Sequence, residues 1–270
     1  MYYIVHIATA FQSFRVQPRE IQKLIWARTL NDLRKKDPTH PLLSATLDQY
    51  LAKEAADPVA LTSLLKKKMA LTPEFGHVIG IGRALVMNGS TPKLTVAVAR
   101  IIDDEKDLLQ NFWQRLRLFT KERGIPTFVT WNGLWFTFPF LIERSTVLGV
   151  EPSCILPRVR FQPWKHLDLF AELADYDPHR YMSLESRLTL WGLKLNGNGN
   201  GHHFGDHDVL TEKWRKANPK PLEENLTLTL EAIQRILKRV APLRPSRVRS
   251  WMWYQRRDFS ESVRRASGHG

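Results

Sequence analysis

Two apolar runs on either side of an Asn-Gly pair constrain the fold more than any other part of the sequence. Residues 77–86 read HVIGIGRALV and residues 94–102 read LTVAVARII, and both runs are rich in β-branched side chains. Asn88-Gly89 lies between them, and this dipeptide is a strong signal for a tight turn between paired strands. The sequence therefore predicts a β-hairpin, which requires a sheet containing antiparallel strands.

Strand-like and helix-like patterns alternate around this hairpin. The runs YIVHIATA at 3–10 and PTFVTW at 126–131 are typical of buried strands. Helical spacing of apolar residues predicts helices at 17–70 (an insertion broken by prolines), 134–148, 165–174, 183–191, 208–216 and 222–239. The acids Asp103, Asp104 and Glu105 precede a further periodic run and are interpreted as caps of that helix. This order of elements predicts a mixed α/β fold.

The charge balance narrows the classes of partner. The 270 residues carry a formal net charge of +13 at pH 7, which favours a polyanionic partner, above all nucleic acid, over a merely solvated basic surface. The single cysteine, Cys154, excludes an internal disulfide and a cysteine metal cluster. The sequence lacks a signal-peptide pattern and the run of ~20 apolar residues that a bilayer span needs. We therefore expect a cytoplasmic protein without a membrane partner.

Short motifs follow one another in a characteristic order along the chain. They are HIAT at 6–9, TPEFG at 72–76, TWNGLWFTFPFL at 130–141, HLDL at 166–169, SL at 183–184 with GL at 192–193, and a helical segment at 221–229. In this order they resemble the DEDD superfamily of 3′–5′ exonucleases, in particular the proofreading exonuclease of family-B DNA polymerases. The resemblance covers residues 2 to about 240. It implies an α/β fold with an RNase H-like mixed sheet flanked by helices and a helical insertion after the first strand.

The resemblance also implies which positions would hold catalytic metal ions. Enzymes of this family are understood to act through two divalent cations held by four carboxylates, with a tyrosine near the attacking water. The matched ligand positions carry His6, Ala8, Thr137 and Asn225, and Pro221 replaces the tyrosine. Neutral oxygens and an imidazole bind Mg²⁺ or Mn²⁺ poorly. We therefore expect no catalytic residues and no metal cofactor at this site.

The composition becomes basic and aromatic from residue 242. We therefore divide the chain into an exonuclease-like domain at 1–241 and a C-terminal extension at 242–270. Arginine pairs with phosphates and aromatic faces stack on bases, so the extension is predicted to bind nucleic acid that is single-stranded or presents an end. The predicted contacts are Arg244, Arg247, Arg249, Trp251, Trp253, Tyr254, Arg256 and Arg257, together with Asn132 of the motif at 130–141.

These patterns predict a catalytically inactive exonuclease-like protein that binds nucleic acid as a subunit of a DNA- or RNA-processing assembly with other proteins. One alternative is a protein-interaction scaffold whose extension binds a partner protein. A second is an active exonuclease with relocated ligands, which would use Mg²⁺ or Mn²⁺. Its acids would be Glu223 or Glu224, if the register of the last motif slips, or Asp168, which is more simply explained as the start of a helix.

A glycine-rich loop contains further potential metal ligands. HHFGDHD at 202–208 includes His202, His203, Asp206 and His207, whose donor types suit zinc or another transition metal. However, consecutive ligands in such a loop lack a supporting scaffold. A solvated loop is therefore the preferred interpretation, and a metal site is the alternative.

Overall fold

The chain forms one five-stranded sheet with helices on both faces. A computed structural model describes residues 1–11, 14, 17–56, 65, 69–87, 92–158, 160, 162–193, 195 and 207–243. The strands are β1 (Tyr2–Phe11), β2 (Gly76–Val86), β3 (Lys93–Val98), β4 (Thr127–Thr130) and β5 (His166–Asp168). The helices are α1 (Arg19–Lys36), α2 (Leu47–Ala56), α3 (Glu105–Arg123), α4 (Phe138–Val147), α5 (Leu169–Glu172), α6 (Leu184–Leu190), α7 (His207–Arg215) and α8 (Lys220–Val240). A π-helical turn, Gly133–Thr137, precedes α4, and short 3-10 helices are Pro41–Ser44, Ile102–Asp104, Pro178–Arg180 and Ala241–Leu243.

The strand order is β3-β2-β1-β4-β5. β1 pairs antiparallel with β2, and β2 pairs antiparallel with β3, so the predicted hairpin is confirmed. On its other side β1 runs parallel to β4, and β4 runs parallel to β5. Parallel neighbours need a crossover, which the helices between β1, β4 and β5 provide. The predicted fold class, an RNase H-like mixed α/β sheet flanked by helices, is confirmed.

The alternation of side chains along β1 divides the core into two layers. Tyr3, Val5 and Ile7 pack into the cluster that contains Leu109 of α3 and Phe140 of α4. Ile4 points to the opposite face and packs with residues of α8 such as Ile233. Because successive side chains of a strand point to opposite faces, His6 and Ala8 lie on the face that α8 covers.

Two glycines let α8 approach the sheet closely on that face. Gly82 pairs with His6 and Gly80 pairs with Ala8 in the β1–β2 ladder. A Cβ atom at Gly80 would lie 2.7 Å from Cδ1 of Leu226, and one at Gly82 would lie 3.0 Å from Cδ1 of Leu230. The leucines of α8 therefore rest directly on the backbone of β2, beside His6 and Ala8.

The segment between β1 and β2 carries α1 and α2, where the sequence predicts a helical insertion. Trp26 of α1 and Tyr50 of α2 stack with ring centroids 4.6 Å apart and belong to a separate apolar cluster with Met69 and Phe75. Many of residues 57–68 lie outside the described part of the chain. Among the described residues, no helix has both the length and the apolar composition that a membrane crossing requires.

Two predicted boundaries differ from the structure. The segment 165–174 has a helical pattern, but His166–Asp168 form β5 before α5 begins, because pairing with β4 satisfies their backbone groups. The helix predicted at 134–148 begins with the π-helical turn, in which the Thr137 N–H donates to the Asn132 carbonyl at 3.3 Å. In both places tertiary contacts outweigh the local pattern.

Candidate functional site

The four positions matched to catalytic ligands lie on elements that contact one another. His6 and Ala8 are on the central strand β1, Thr137 ends the π-helical turn after β4, and Asn225 is on the first half of α8. β1 contacts both the π-helical turn and α8. We call His6, Ala8, Thr137 and Asn225 the matched positions.

Buried polar atoms at the matched positions lack hydrogen-bond partners. Nδ1 of His6 and Oγ1 of Thr137 are shielded from solvent, and neither has a partner among the described residues. The same holds for Oγ1 of Thr9, the residue that follows Ala8 in the HIAT motif. Burial lowers the pKa of His6 to about 4, so its imidazole is neutral at pH 7. No anionic oxygen is present at these positions to attract a dication.

The space beside Ala8 is apolar. Ala8 packs against the cluster that contains Leu222 and Leu226 of α8 and Ile79 of β2. Asn225 is half-buried, and its backbone carbonyl accepts a hydrogen bond from Oγ1 of Thr229 at 2.8 Å. A pair of metal ions bridged by carboxylates would need polar, open space in this corner, and the α8 leucines occupy it instead.

The possible replacement acids do not gather into a metal site. Glu223 and Glu224 are exposed on α8, whereas Asp168 is buried at the end of β5. Among the described residues, no group of three His, Cys, Asp or Glu side chains is arranged to hold a metal ion.

Asp168 organises the turn that carries the most specific motif. Its carboxylate accepts hydrogen bonds from the backbone N–H groups of Asn132 at 2.9 Å, Leu134 at 2.9 Å and Phe170 at 3.3 Å. The last bond caps α5, as the helix-start interpretation predicts. Burial raises the pKa of Asp168 to about 6, although these backbone bonds act in the opposite direction. Asp168 thus joins the end of β5 to the turn after β4.

Steric constraints explain why Asn132 and Gly133 occupy this turn. Asn132 adopts a left-handed conformation with φ 63°, which asparagine tolerates better than most residues. A Cβ atom at Gly133 would clash with the side chain of Thr130. Asn132 is half-buried next to these residues. Its place in the candidate nucleic-acid contact set stays a prediction.

Four side chains near this turn form a group that the sequence motifs do not indicate. Trp135 lies at the outward side of the π-helical turn and is 40% exposed. The Arg160 guanidinium lies 5.4 Å from the centroid of its ring, and the Tyr181 ring lies 5.5 Å away. Phe170 stacks on Tyr181 at 4.5 Å. We call Trp135, Arg160, Phe170 and Tyr181 the aromatic–arginine cluster. Sequence reasoning missed it because its members come from separate segments that only the fold brings together.

Glu105 belongs to a buried ion-pair cluster, so its interpretation as a helix cap is wrong. Its carboxylate accepts bonds from Arg144 Nε at 2.9 Å, from the second Arg144 nitrogen at 2.8 Å and from the Val78 N–H at 2.7 Å, and lies 2.8 Å from Nδ1 of His77. Burial alone would raise the pKa of Glu105, but these hydrogen bonds and the charge of Arg144 lower it. Asp104 is the acid that accepts from the backbone before the helix, at Arg100 and Ile101. We call Glu105, Arg144 and His77 the ion-pair cluster.

The remaining predicted site residues lie outside the described part of the chain. They are Arg244, Arg247, Arg249, Trp251, Trp253, Tyr254, Arg256 and Arg257 of the extension, and His202, His203 and Asp206 of the glycine-rich loop. His207 begins α7, but its side chain is not described.

Two comparisons with known proteins identify no relative of this chain. No family model matches the chain, and the comparison with curated proteins finds no significant match. The resemblance to exonucleases therefore stays a prediction from the ordered motifs, and the sheet supports the fold class alone.

Proposed function

We propose that this chain is a catalytically inactive relative of the DEDD exonucleases that binds nucleic acid, as a subunit of a DNA- or RNA-processing assembly. One observation carries the proposal. The chain has an RNase H-like sheet, and the four matched positions lie on adjoining elements, but no matched position has a carboxylate side chain. In this proposal the chain has the fold of such an exonuclease but lacks the groups that would bind its metal ions.

The chemistry of phosphodiester cleavage supports the inactive state. Two-metal hydrolysis requires anionic oxygens that hold both dications and activate the attacking water. Here His6 is neutral at pH 7, Ala8 has no ligand atom, and Oγ1 of Thr137 is shielded from solvent. Leu226 of α8 packs in the same corner. These features argue against a metal pair at this place.

The charge supports nucleic acid as the partner. A formal net charge of +13 gives long-range attraction to a polyanion. The extension at 242–270 adds arginines interleaved with tryptophan and tyrosine, which suits phosphate pairing and base stacking. Because the corner at the matched positions is filled, we assign binding to the outer surface and the extension rather than to the former cleavage site.

Salt-dependent affinity is the direct test. We expect the full-length chain to bind fluorescent oligonucleotides of about 12 nucleotides, and to lose affinity by about 10- to 1000-fold between 50 and 200 mM salt, because each neutralised phosphate releases counterions. Fluorescence anisotropy with single-stranded and duplex DNA and RNA measures this. Affinity that does not change with salt, or no binding at 50 mM salt, contradicts the proposal.

Truncation after residue 241 distinguishes nucleic-acid binding from the scaffold alternative. We expect the truncated chain to bind oligonucleotides more weakly. A full-length variant in which Arg244, Arg247 and Arg249 become lysine keeps the charge but loses the bidentate pairing with phosphate, so we expect its affinity to lie between those of the full-length and truncated chains. If truncation abolishes binding to a partner protein and leaves oligonucleotide affinity unchanged, the extension is a protein-interaction element instead.

Incubation with metal ions tests the active alternative. We expect 5′-labelled single strands to stay intact with Mg²⁺ or Mn²⁺. A ladder of shortened products that disappears in Asp168→Asn or Glu223→Gln would show relocated catalytic ligands and would contradict the proposal.

A further inference from the structure

The aromatic–arginine cluster lies on the exposed side of the π-helical turn, and Thr137 lies on the buried side of the same turn. Thr137 is fully buried, whereas Trp135, two residues earlier in the same π-helical turn, is 40% exposed. A large aromatic side chain held at the surface loses the stabilisation that burial would give it. The turn that carries the most specific motif therefore presents an indole ring to solvent.

The rings of the cluster are held in place from below. Phe170 contacts Trp131, whose ring is buried, with centroids 5.9 Å apart. Tyr181 stacks on Phe170 and tilts by 50° against Trp135. Asp168 binds the backbone on both sides, at Asn132 and Phe170. An aromatic surface fixed in this way loses little conformational entropy when a flat ligand stacks on it.

The charges around the cluster favour an anionic ligand. Arg160 lies over the Trp135 ring, and it is not among the described residues that form ion pairs with one another. A guanidinium that stacks on a ring keeps its in-plane N–H groups for a phosphate. Two acids, Asp168 and Asp177, act electrostatically on Tyr181. Asp168 is engaged by backbone N–H groups, and Asp177 accepts a hydrogen bond from the His179 N–H at 3.0 Å. Arg160 is therefore the charge of the cluster that a ligand can neutralise.

We propose that Trp135 and Tyr181 form a stacking surface for unpaired bases and that Arg160 binds a phosphate of the same strand. This inference rests on the proposed function and assigns it a place and a ligand class, single-stranded nucleic acid. A single strand is required because the base faces of a duplex are already stacked on one another. Trp135 is on the exposed side of the turn and Thr137 is buried, so stacking on Trp135 does not require access to Thr137.

Two oligonucleotide probes, combined with substitutions at Trp135, Arg160 and the control position Ile155, test the stacking surface. Full-length protein is titrated with a fluorescent 12-nucleotide single strand and with the same strand containing abasic positions. Trp135→Ala is expected to weaken binding of the normal strand by about 5- to 100-fold, the range for loss of one or two stacked bases. Trp135→Phe retains a ring and stays within about 3-fold of the unmodified chain. Ile155→Ala, at a 94% exposed apolar position, is the control and leaves affinity unchanged.

The abasic strand separates stacking from other effects. It binds the unmodified chain more weakly, and Trp135→Ala causes no further loss with it. Arg160→Gln reduces affinity for both strands and makes the salt dependence shallower by about one counterion. Equal losses with normal and abasic strands in Trp135→Ala overturn the stacking surface. Unchanged affinity of Trp135→Ala for the normal strand also overturns the stacking surface. In that case salt-dependent binding by the unmodified chain would still support the proposed function. Absence of oligonucleotide binding by the unmodified chain overturns both.

Discussion

The ion-pair cluster and two of the matched positions, His6 and Thr137, both bury polar atoms, but they differ in whether those atoms are hydrogen-bonded. In the ion-pair cluster, both carboxylate oxygens of Glu105 have partners on Arg144, His77 or the backbone of Val78. At the matched positions, Nδ1 of His6 and Oγ1 of Thr137 have none among the described residues. Buried polar groups stabilise a fold only when they are hydrogen-bonded. The first group therefore supports the fold, whereas the second gives it no hydrogen-bond stabilisation.

The largest expected effect comes from breaking the satisfied cluster. Glu105→Gln leaves the Arg144 guanidinium buried without a counter-charge, and loss of one partner of a buried pair costs about 3–5 kcal/mol. We expect a lower free energy of unfolding in urea at pH 7. Glu143→Gln, an exposed glutamate beside Arg144 in the chain, is the matched control and should change stability by less than about 0.5 kcal/mol.

The pH dependence sharpens this test. Because the pKa of Glu105 is lowered in the folded state, its contribution is present above the unfolded value and is lost as the pH falls. The stability difference between the unmodified chain and Glu105→Gln should therefore shrink in acid. A difference that is small at pH 7, or that grows as the pH falls, contradicts the role given to this cluster.

A second, smaller effect is expected from His6 and appears only in acid. The unfolded chain binds a proton near pH 6.5, but the folded chain does so only near pH 4, so folding loses stability as the pH falls through this interval. His6→Asn removes this loss. Between pH 7 and pH 4, its free energy of unfolding should therefore gain up to about 3 kcal/mol on that of the unmodified chain.

Urea unfolding at intervals between pH 7 and pH 4 measures the His6 contribution. His166, whose pKa burial also lowers to about 4, remains in the variant and preserves its own share of the acid sensitivity. Parallel stability curves for the two proteins would mean that the pKa of His6 is the same in the folded and the unfolded chain, which contradicts its burial.

The smallest effect is expected from Thr→Val substitution, compared at two buried threonines, Thr130 and Thr137. Oγ1 of Thr130 is hydrogen-bonded to Nε2 of His166 at 2.8 Å, whereas Oγ1 of Thr137 has no partner among the described residues. Thr130→Val should cost about 1–2 kcal/mol, because it leaves a buried ring nitrogen unpaired. Thr137→Val should be neutral or slightly stabilising. Thermal unfolding of both variants measures the difference, and an equal cost would mean that Thr137 has a hydrogen-bonded partner, such as an ordered water.

Local patterns predicted those parts of the fold that local interactions can form. The Asn88-Gly89 turn signal and the β-branched runs predict the β2–β3 hairpin, and the apolar stripe at 222–239 predicts α8, which spans Lys220–Val240. The three residues of β5 were predicted as helix, since a strand this short is recognisable only by its pairing with β4. Glu105 was predicted as a cap because an acid before a helix looks the same whether it faces solvent or a buried arginine.

The sequence by itself determined most of the elements, their order and the residue types at the matched positions, because these depend on residue type and on neighbours along the chain. Only the tertiary structure decided that the leucines of α8 close the corner beside Ala8, that Glu105 meets Arg144, and that Trp135, Arg160 and Tyr181 meet at one surface. These contacts join residues from separate segments. Their geometry follows from how helices pack on the sheet, which no local pattern specifies.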